Sequence, residues 1–158
     1  MASKQEIPVQ VVVTSRRPGE PVQNLDMFQR AWDECAELQV TSKEEWIGRS
    51  LLSLQGLDRI EIGVLAYGKV VGGICLAPDP WDAHVGPCIS VFAQYVLPEY
   101  RHKGVSARLM REAMRAARKS GAAVLAFTHR KAPWRYETMY HRIKHENSQD
   151  RHQRPGSR

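Results

Sequence analysis

Two changes of hydrophobic period between Ile89 and Thr128 limit what this chain can fold into. Ile89–Val96 is an apolar run of strand type, and Pro98, which has no N–H to give, ends its pairing. From about Gly104 to Lys119 the apolar residues Val105, Leu109, Met110, Ala113, Met114 and Ala117 fall on one side of a helix, and Ser120-Gly121 closes it. Val124–Thr128 returns to strand type. A strand, a helix and a strand in that order form a crossover, which lays two strands parallel with a helix on the sheet.

The segments upstream add antiparallel strands. Ile60, Ile62, Val64 and Ala66 alternate with their neighbours, as in a strand with one buried face. Tyr67-Gly68-Lys69 is a short turn, and Val70–Leu76 resumes, so the pair predicts a β-hairpin. Ile7–Thr14 is a further β-branched strand, followed by a Pro/Gly loop. Asn24 is placed to N-cap a helix carrying Leu25, Phe28, Trp32 and Cys35. Thr41-Ser42-Lys43-Glu44 reads as a capping box before a helix with Trp46, Ile47, Leu51 and Leu54, stopped by Gly56. The three-proline stretch from Ala77 to Pro87 reads as a loop, and Tyr136–His145 as a short helix. Residues 1–146 then form one domain, and 147–158 are a polar, disordered tail. The expected order is β–α–α–β–β–β–α–β–α: an α/β fold (an α+β mixed sheet) with helices on both faces.

Charge is distributed unevenly. Residues 1–100 hold 8 Lys/Arg against 13 Asp/Glu, whereas 101–158 hold 15 against 4, for a net +6 over the 158 residues. The excess starts at the turn after the strand ending at Val96 and points to a polyanionic partner, either nucleic acid or a phosphorylated cofactor. Nucleic acid is disfavoured, because the basic half interleaves few aromatics beyond Trp134, Tyr136 and Tyr140. Cys35, Cys75 and Cys88 are widely spaced and form no CxxC. They read as small apolar residues in a reducing cytoplasm, with neither a disulfide framework nor a metal site. No signal peptide and no membrane-spanning run is evident.

The turn itself lies between a strand end and a helix start. The first N–H groups of a helix lack internal partners and carry partial positive charge, so an anion there accepts several of them. Gly104 lets the backbone approach closely, and Arg101 and Lys103 add charge. Arg108, Arg111, Arg115 and Arg118 repeat on the outer side of the helix, where a solvated face is an equally good reading.

In "YVLPEYRHKGVSARLM", Val96, Pro98, Arg101 and Gly104 are in register with V-x-P-x-x-[RQ]-x-x-G-x-[GA], and Ser106 stands where Gly or Ala is usual. The stretch resembles the pyrophosphate signature of the GNAT superfamily of acyl-CoA N-acyltransferases, and the element order over residues 7–145 is similar to that family's. The resemblance implies an acetyl-CoA-dependent N-acetyltransferase. Tyr95, Val96, Arg101, His102, Lys103, Gly104, Val105 and Ser106 would hold the coenzyme A thioester, with the pantetheine arm in a gap between strands 89–96 and 124–128. It also implies direct attack by an amine of a small molecule, a protein lysine or an N-terminus. Tyr140, in "MYHRIKH", stands where family members place an acid for the leaving thiolate; packing is the alternative reading. For the base, Glu61 is the first candidate, with His84, a water or an already neutral amine as alternatives.

The resemblance also implies two further strands, which the sequence after His145 does not supply. A second copy of the chain could wall the acceptor site in a homodimer. Alternatively the protein is a non-catalytic relative that binds and modulates another protein, with Val124–Thr128 as a free sheet edge. The short, divergent form is similar to members encoded by bacteriophages, which would place it in a host cytoplasm.

Overall fold

A computed structural model describes residues 7–145; the tail expected at 147–158 lies outside them. Strand β1 (Val9–Arg16) leads to helices α1 (Leu25–Glu34) and α2 (Lys43–Gln55), separated by one 3₁₀ turn, Ala36–Leu38. Strands β2 (Arg59–Ala66), β3 (Lys69–Asp82) and β4 (Gly86–Val96) follow, then helix α3 (Val105–Lys119) and strands β5 (Val124–Ala132) and β6 (Arg135–Arg142). The six strands form one sheet in sequence order, antiparallel throughout except for the parallel β4–β5 pair. The mixed α/β sheet and the crossover are as expected. Among the described residues no helix is long and apolar enough to cross a membrane.

Local chemistry explains most boundaries. Ser42 caps α2 by accepting the Glu45 N–H at 3.2 Å, so the capping pair is Ser42 and Glu45 rather than the Thr41–Glu44 box expected. Asn24 stands at the start of α1 in left-handed geometry, φ 60°, and its side chain caps nothing. Tyr67 and Gly68, φ 51° and 75°, form the two-residue turn between β2 and β3 with the twist a hairpin requires.

Three expectations are corrected. The 77–87 loop is an extension of the β3–β4 hairpin, with Asp79 paired to Cys88 and Asp82 to Gly86. The prolines are accommodated around a register shift between Asp79 and Asp82. Tyr136–His145 is not a helix; residues 135–142 are β6. A two-residue turn at Pro133-Trp134 brings Arg135 opposite Ala132 and folds β6 back along β5. Tyr136, Met139, Tyr140 and Ile143 fit a helical stripe, but Tyr136, Thr138 and Tyr140 fit a strand face equally well, and the hydrogen-bonding edge of β5 decides between them. The sheet edge on this side is therefore β6, and Val124–Thr128 is interior.

Adjacent glycines show how the helices cover the sheet. A Cβ at Gly72 would meet Val105 Cγ1 at 2.8 Å and Leu109 Cδ1 at 3.2 Å, both on α3. At Gly73 it would meet Asn24 Nδ2 and Met27 Sδ, both at 3.6 Å, at α1. Since successive strand residues face opposite sides, α3 covers one face and α1 the other. Val105, Leu109, Ala113 and Ala117 pack with Ile74, Leu76, Ile89, Val96 and Leu125 in the core.

Candidate active site

The parallel ladder of β4 and β5 holds only two pairs, Ile89 with Leu125 and Ser90 with Ala126. Beyond Ser90 the two strands continue to Val96 and Ala132 without pairing, so they diverge in a V that opens toward their C-terminal ends. Across β3, Cys75 pairs with Ala93 and Leu76 with Val91, which leaves Phe92 as a bulge at the edge of the V. Phe92 is 51 % exposed although β4 is an inner strand, at a level where β4 no longer pairs with β5.

The open end of the V leads into the basic turn. Val96 and Leu97 are buried, and the Leu97 N–H donates to Val71 O at 2.9 Å, which anchors the strand end. Pro98–Tyr100 makes one 3₁₀ turn; His102 (φ 59°) and Gly104 (φ 82°) then take left-handed backbone geometry, and α3 begins. The first turn of α3 carries no acidic residue and no side-chain cap, so its leading N–H groups stay free for a ligand. Val105, 4 % exposed, pins the helix start to the core, while His102, Lys103, Gly104 and Ser106 face solvent. A Cβ at Gly104 would meet nothing within 4 Å. The residue is therefore demanded by its backbone angle and by open approach, not by internal packing.

Arg101 and Tyr95 converge on a residue the sequence reading missed. Arg101 Nη2 donates to Glu34 Oε2 at 2.7 Å, Tyr95 Oη donates to the same oxygen at 2.6 Å, and Arg101 Nε donates to Val96 O at 3.1 Å. The Arg101 guanidinium holds the Glu34 carboxyl below its ordinary range. Burial, with Glu34 adding to it, pushes the Tyr95 hydroxyl up to about 12. Three residues further on, the buried Glu37 accepts from Arg130 (Nε, and Nη2 at 3.0 Å) and from Tyr136 Oη at 2.8 Å. The end of α1 and the 3₁₀ turn after it thus reach both arms of the V: Glu34 holds the β4 side and Glu37 the β5–β6 side. Glu37 ionises at about 2, chiefly through its bond from Arg130.

Arg130 and Tyr136 therefore lie on the α1 face, and strand alternation puts Thr128, Thr138, Ala126 and Tyr140 there too. Tyr140 faces the closed end of the V. Its Oη lies 3.1 Å from Asp82 Oδ2 and 3.2 Å from His84 Nδ1, both at the β3–β4 hairpin. Burial, and then the bond to Asp82, raises the Tyr140 hydroxyl above its ordinary value. Asp82 is held low, first by the backbone N–H of His84.

Glu61 is placed elsewhere. Its Oε1 accepts from Arg59 Nε at 2.7 Å and its Oε2 from the Gln23 N–H at 3.1 Å, in a pair whose side chains are 0 % and 7 % exposed. Arg59 also donates to the carbonyls of Glu20 and Pro21, at 2.8 and 3.0 Å.

Several solved structures share this fold. A ribosomal-protein-alanine N-acetyltransferase from Brucella melitensis biovar Abortus 2308 aligns at TM-score 0.55 and 16 % identity, covering 80 % of this chain and 83 % of that one. The PaiA N-acetyltransferase of Thermoplasma acidophilum, solved with coenzyme A, aligns at TM-score 0.54 and 19 % identity over 77 % and 80 %. A GNAT family acetyltransferase from Brucella melitensis, solved with acetyl-CoA, aligns at TM-score 0.52 and 16 % identity over 82 % and 87 %. No curated protein sequence matches significantly. The family model described as the acetyltransferase (GNAT) family matches residues 23–135, which include both arms of the V and the basic turn, and the chain belongs to that family.

Proposed function

We propose that the protein is an acetyl-CoA-dependent N-acetyltransferase in which an amine attacks the thioester directly. The observation that carries this reading is the V between β4 and β5 running into a capless, acid-free helix start. An extended arm fits between the diverging strands, and a pyrophosphate fits the N–H groups from Gly104 to Ser106. Acetyl-CoA and coenzyme A in the two structural relatives support the same ligand. Lys103 adds positive charge at the mouth, beside the exposed His102. Arg101, held by Glu34, shapes the turn through its bond to Val96 O. Tyr140 serves as the acid for the leaving thiolate, and Glu61 is assigned to holding residues 20–23 rather than to proton transfer.

Titration calorimetry with acetyl-CoA tests the ligand. Gly104→Glu places a carboxylate where the pyrophosphate approaches and forces a side chain onto φ 82°, so saturable binding should disappear. Undiminished binding by the variant, or no binding by the wild type at millimolar ligand, removes the reading.

A further inference from the structure

Two carboxylates three residues apart hold the two arms of the V by the same set of bonds. On the β4 arm, Glu34 accepts Nη1 and Nη2 of Arg101, one on each oxygen, together with the Tyr95 hydroxyl. On the β5–β6 arm, Glu37 accepts Nε and Nη2 of Arg130, one on each oxygen, together with the Tyr136 hydroxyl. Both clamps sit at about the same level. Tyr95 comes five residues after Ser90, and Arg130, which pairs with Tyr136, comes four after Ala126. At about 3.3 Å per residue, that is roughly 13–17 Å beyond the last β4–β5 pair. The corner between the two acids is stiff. The Cys35 N–H donates to Ala31 O at 2.9 Å, the Leu38 N–H to Cys35 O at 3.0 Å, and Gln39 Nε2 to Trp32 O at 2.8 Å, and the Cys35 side chain is buried.

Without such a corner the arms have a reason to close. Past Ser90 and Ala126 the facing edges of β4 and β5 carry N–H and C=O groups that no strand pairs. A parallel ladder that has begun gains by continuing, and it would draw the strands to about 4.8 Å. An extended ligand arm lying between them needs about twice that spacing, roughly 9–10 Å. We propose that the Glu34–Glu37 corner is a spacer that holds the V open at the width of an extended arm before a ligand arrives, with Glu34, Glu37, Arg130 and Tyr136 as positioning residues. The inference rests on the acetyl-CoA reading and assigns to these residues the shape of the slot for the pantetheine arm.

The two clamps differ in what else they touch. Arg101 also bonds Val96 O and so belongs to the basic turn as well as to the V. The Glu37 clamp does not: its bonds run to Arg130 on β5 and Tyr136 on β6, and none reaches the turn or the start of α3. The Glu37 side chain is 5 % exposed, so water competes little for its bonds, whereas that of Glu34 is 30 % exposed. Loosening the Glu37 clamp therefore acts on the slot and leaves the pyrophosphate site intact. A ligand that needs the open V then binds in proportion to the fraction of molecules in which the V is open, and its apparent Kd rises as that fraction falls.

Calorimetry with two ligands separates the slot from the turn. Acetyl-CoA fills both, and adenosine 3′-phosphate 5′-diphosphate carries the pyrophosphate without the pantetheine arm. Glu37→Gln should weaken acetyl-CoA by roughly tenfold, as expected if the open fraction falls to about a tenth, and should leave the shorter ligand within about twofold. General damage to the fold weakens both ligands alike, and that result overturns the spacer. Unchanged acetyl-CoA affinity overturns it too. If Glu37→Gln melts below the assay temperature, Tyr136→Phe takes its place, because it removes one bond of the clamp and leaves the charge pair whole. It should cost acetyl-CoA about threefold and the shorter ligand nothing, and equal effects on the two ligands again overturn the proposal. A wild type that binds neither ligand sinks the N-acetyltransferase reading, and the spacer with it; a wild type that binds both, with no selective loss in the variants, sinks the spacer alone.

Discussion

Exchanging Gly72 for Ala should damage both the stability of the protein and the proposed ligand site, whereas the same change one residue later should not. The two glycines are neighbours on β3, face opposite sides of the sheet and have ordinary backbone angles. In a strand, Ala is otherwise better than Gly by about 0.5–1 kcal/mol, because glycine loses more freedom on folding. At Gly73 the nearest atoms to a new methyl would be 3.6 Å away, so Gly73→Ala should be neutral or gain up to about 1 kcal/mol. At Gly72 the methyl would be 2.8 Å from Val105 Cγ1, 3.2 Å from Leu109 Cδ1 and 3.3 Å from Val96 Cγ2. All three are core residues, at 4 %, 0 % and 6 % exposure, and none can swing into solvent. Overpacking of this kind costs about 1–3 kcal/mol, or roughly 2–12 °C in melting temperature for a domain of this size. Val105 is also the first residue of α3, so relief by sliding the helix moves the N–H groups proposed for the pyrophosphate. Thermal melts and acetyl-CoA titrations of both variants measure the two effects. Equal melting temperatures for Gly72→Ala and Gly73→Ala would refute the packing argument. A destabilised Gly72→Ala with wild-type affinity would refute the link from core to turn.

Two further outcomes follow from the site. Tyr140→Phe should keep acetyl-CoA affinity within a few-fold and lower turnover by roughly two orders of magnitude, because it removes only the hydroxyl; turnover at the wild-type level would assign Tyr140 to packing. Glu37 ionises at about 2 when folded against an ordinary 4.5, so its contribution is complete above about pH 4.5 and is lost as pH falls toward 2. Acid melts of the wild type should decline across that window, and a Glu37→Gln variant whose melts decline just as steeply would show that the Arg130 bond carries no linkage.

The sequence alone determined the central unit of this protein. The crossover from Ile89 to Thr128, the hairpin at Tyr67-Gly68 and the glycine turn before α3 each depend on residues within a few positions of one another. A period, a missing N–H or an absent Cβ acts locally, so neighbours suffice to read it. Folding decided what depended on distant partners. Residues 136–145 carry a helical stripe and a strand face at once, and only the free edge of β5 selected the strand. Glu34 lies 61 residues before Tyr95 and 67 before Arg101, and Glu37 lies 93 before Arg130 and 99 before Tyr136. In the sequence they are ordinary acids at the end of an amphipathic helix. Glu61 looked free on an alternating strand until the fold set Arg59 and Gln23 against it. His84 and Tyr140 are 56 residues apart and meet only because the β3–β4 and β5–β6 hairpins flank the same closed end of the V. A carboxylate, an imidazole or a phenol takes its role from whichever donor or charge stands within about 3 Å, and for these residues that neighbour was set by strand pairing and helix docking rather than by adjacent sequence.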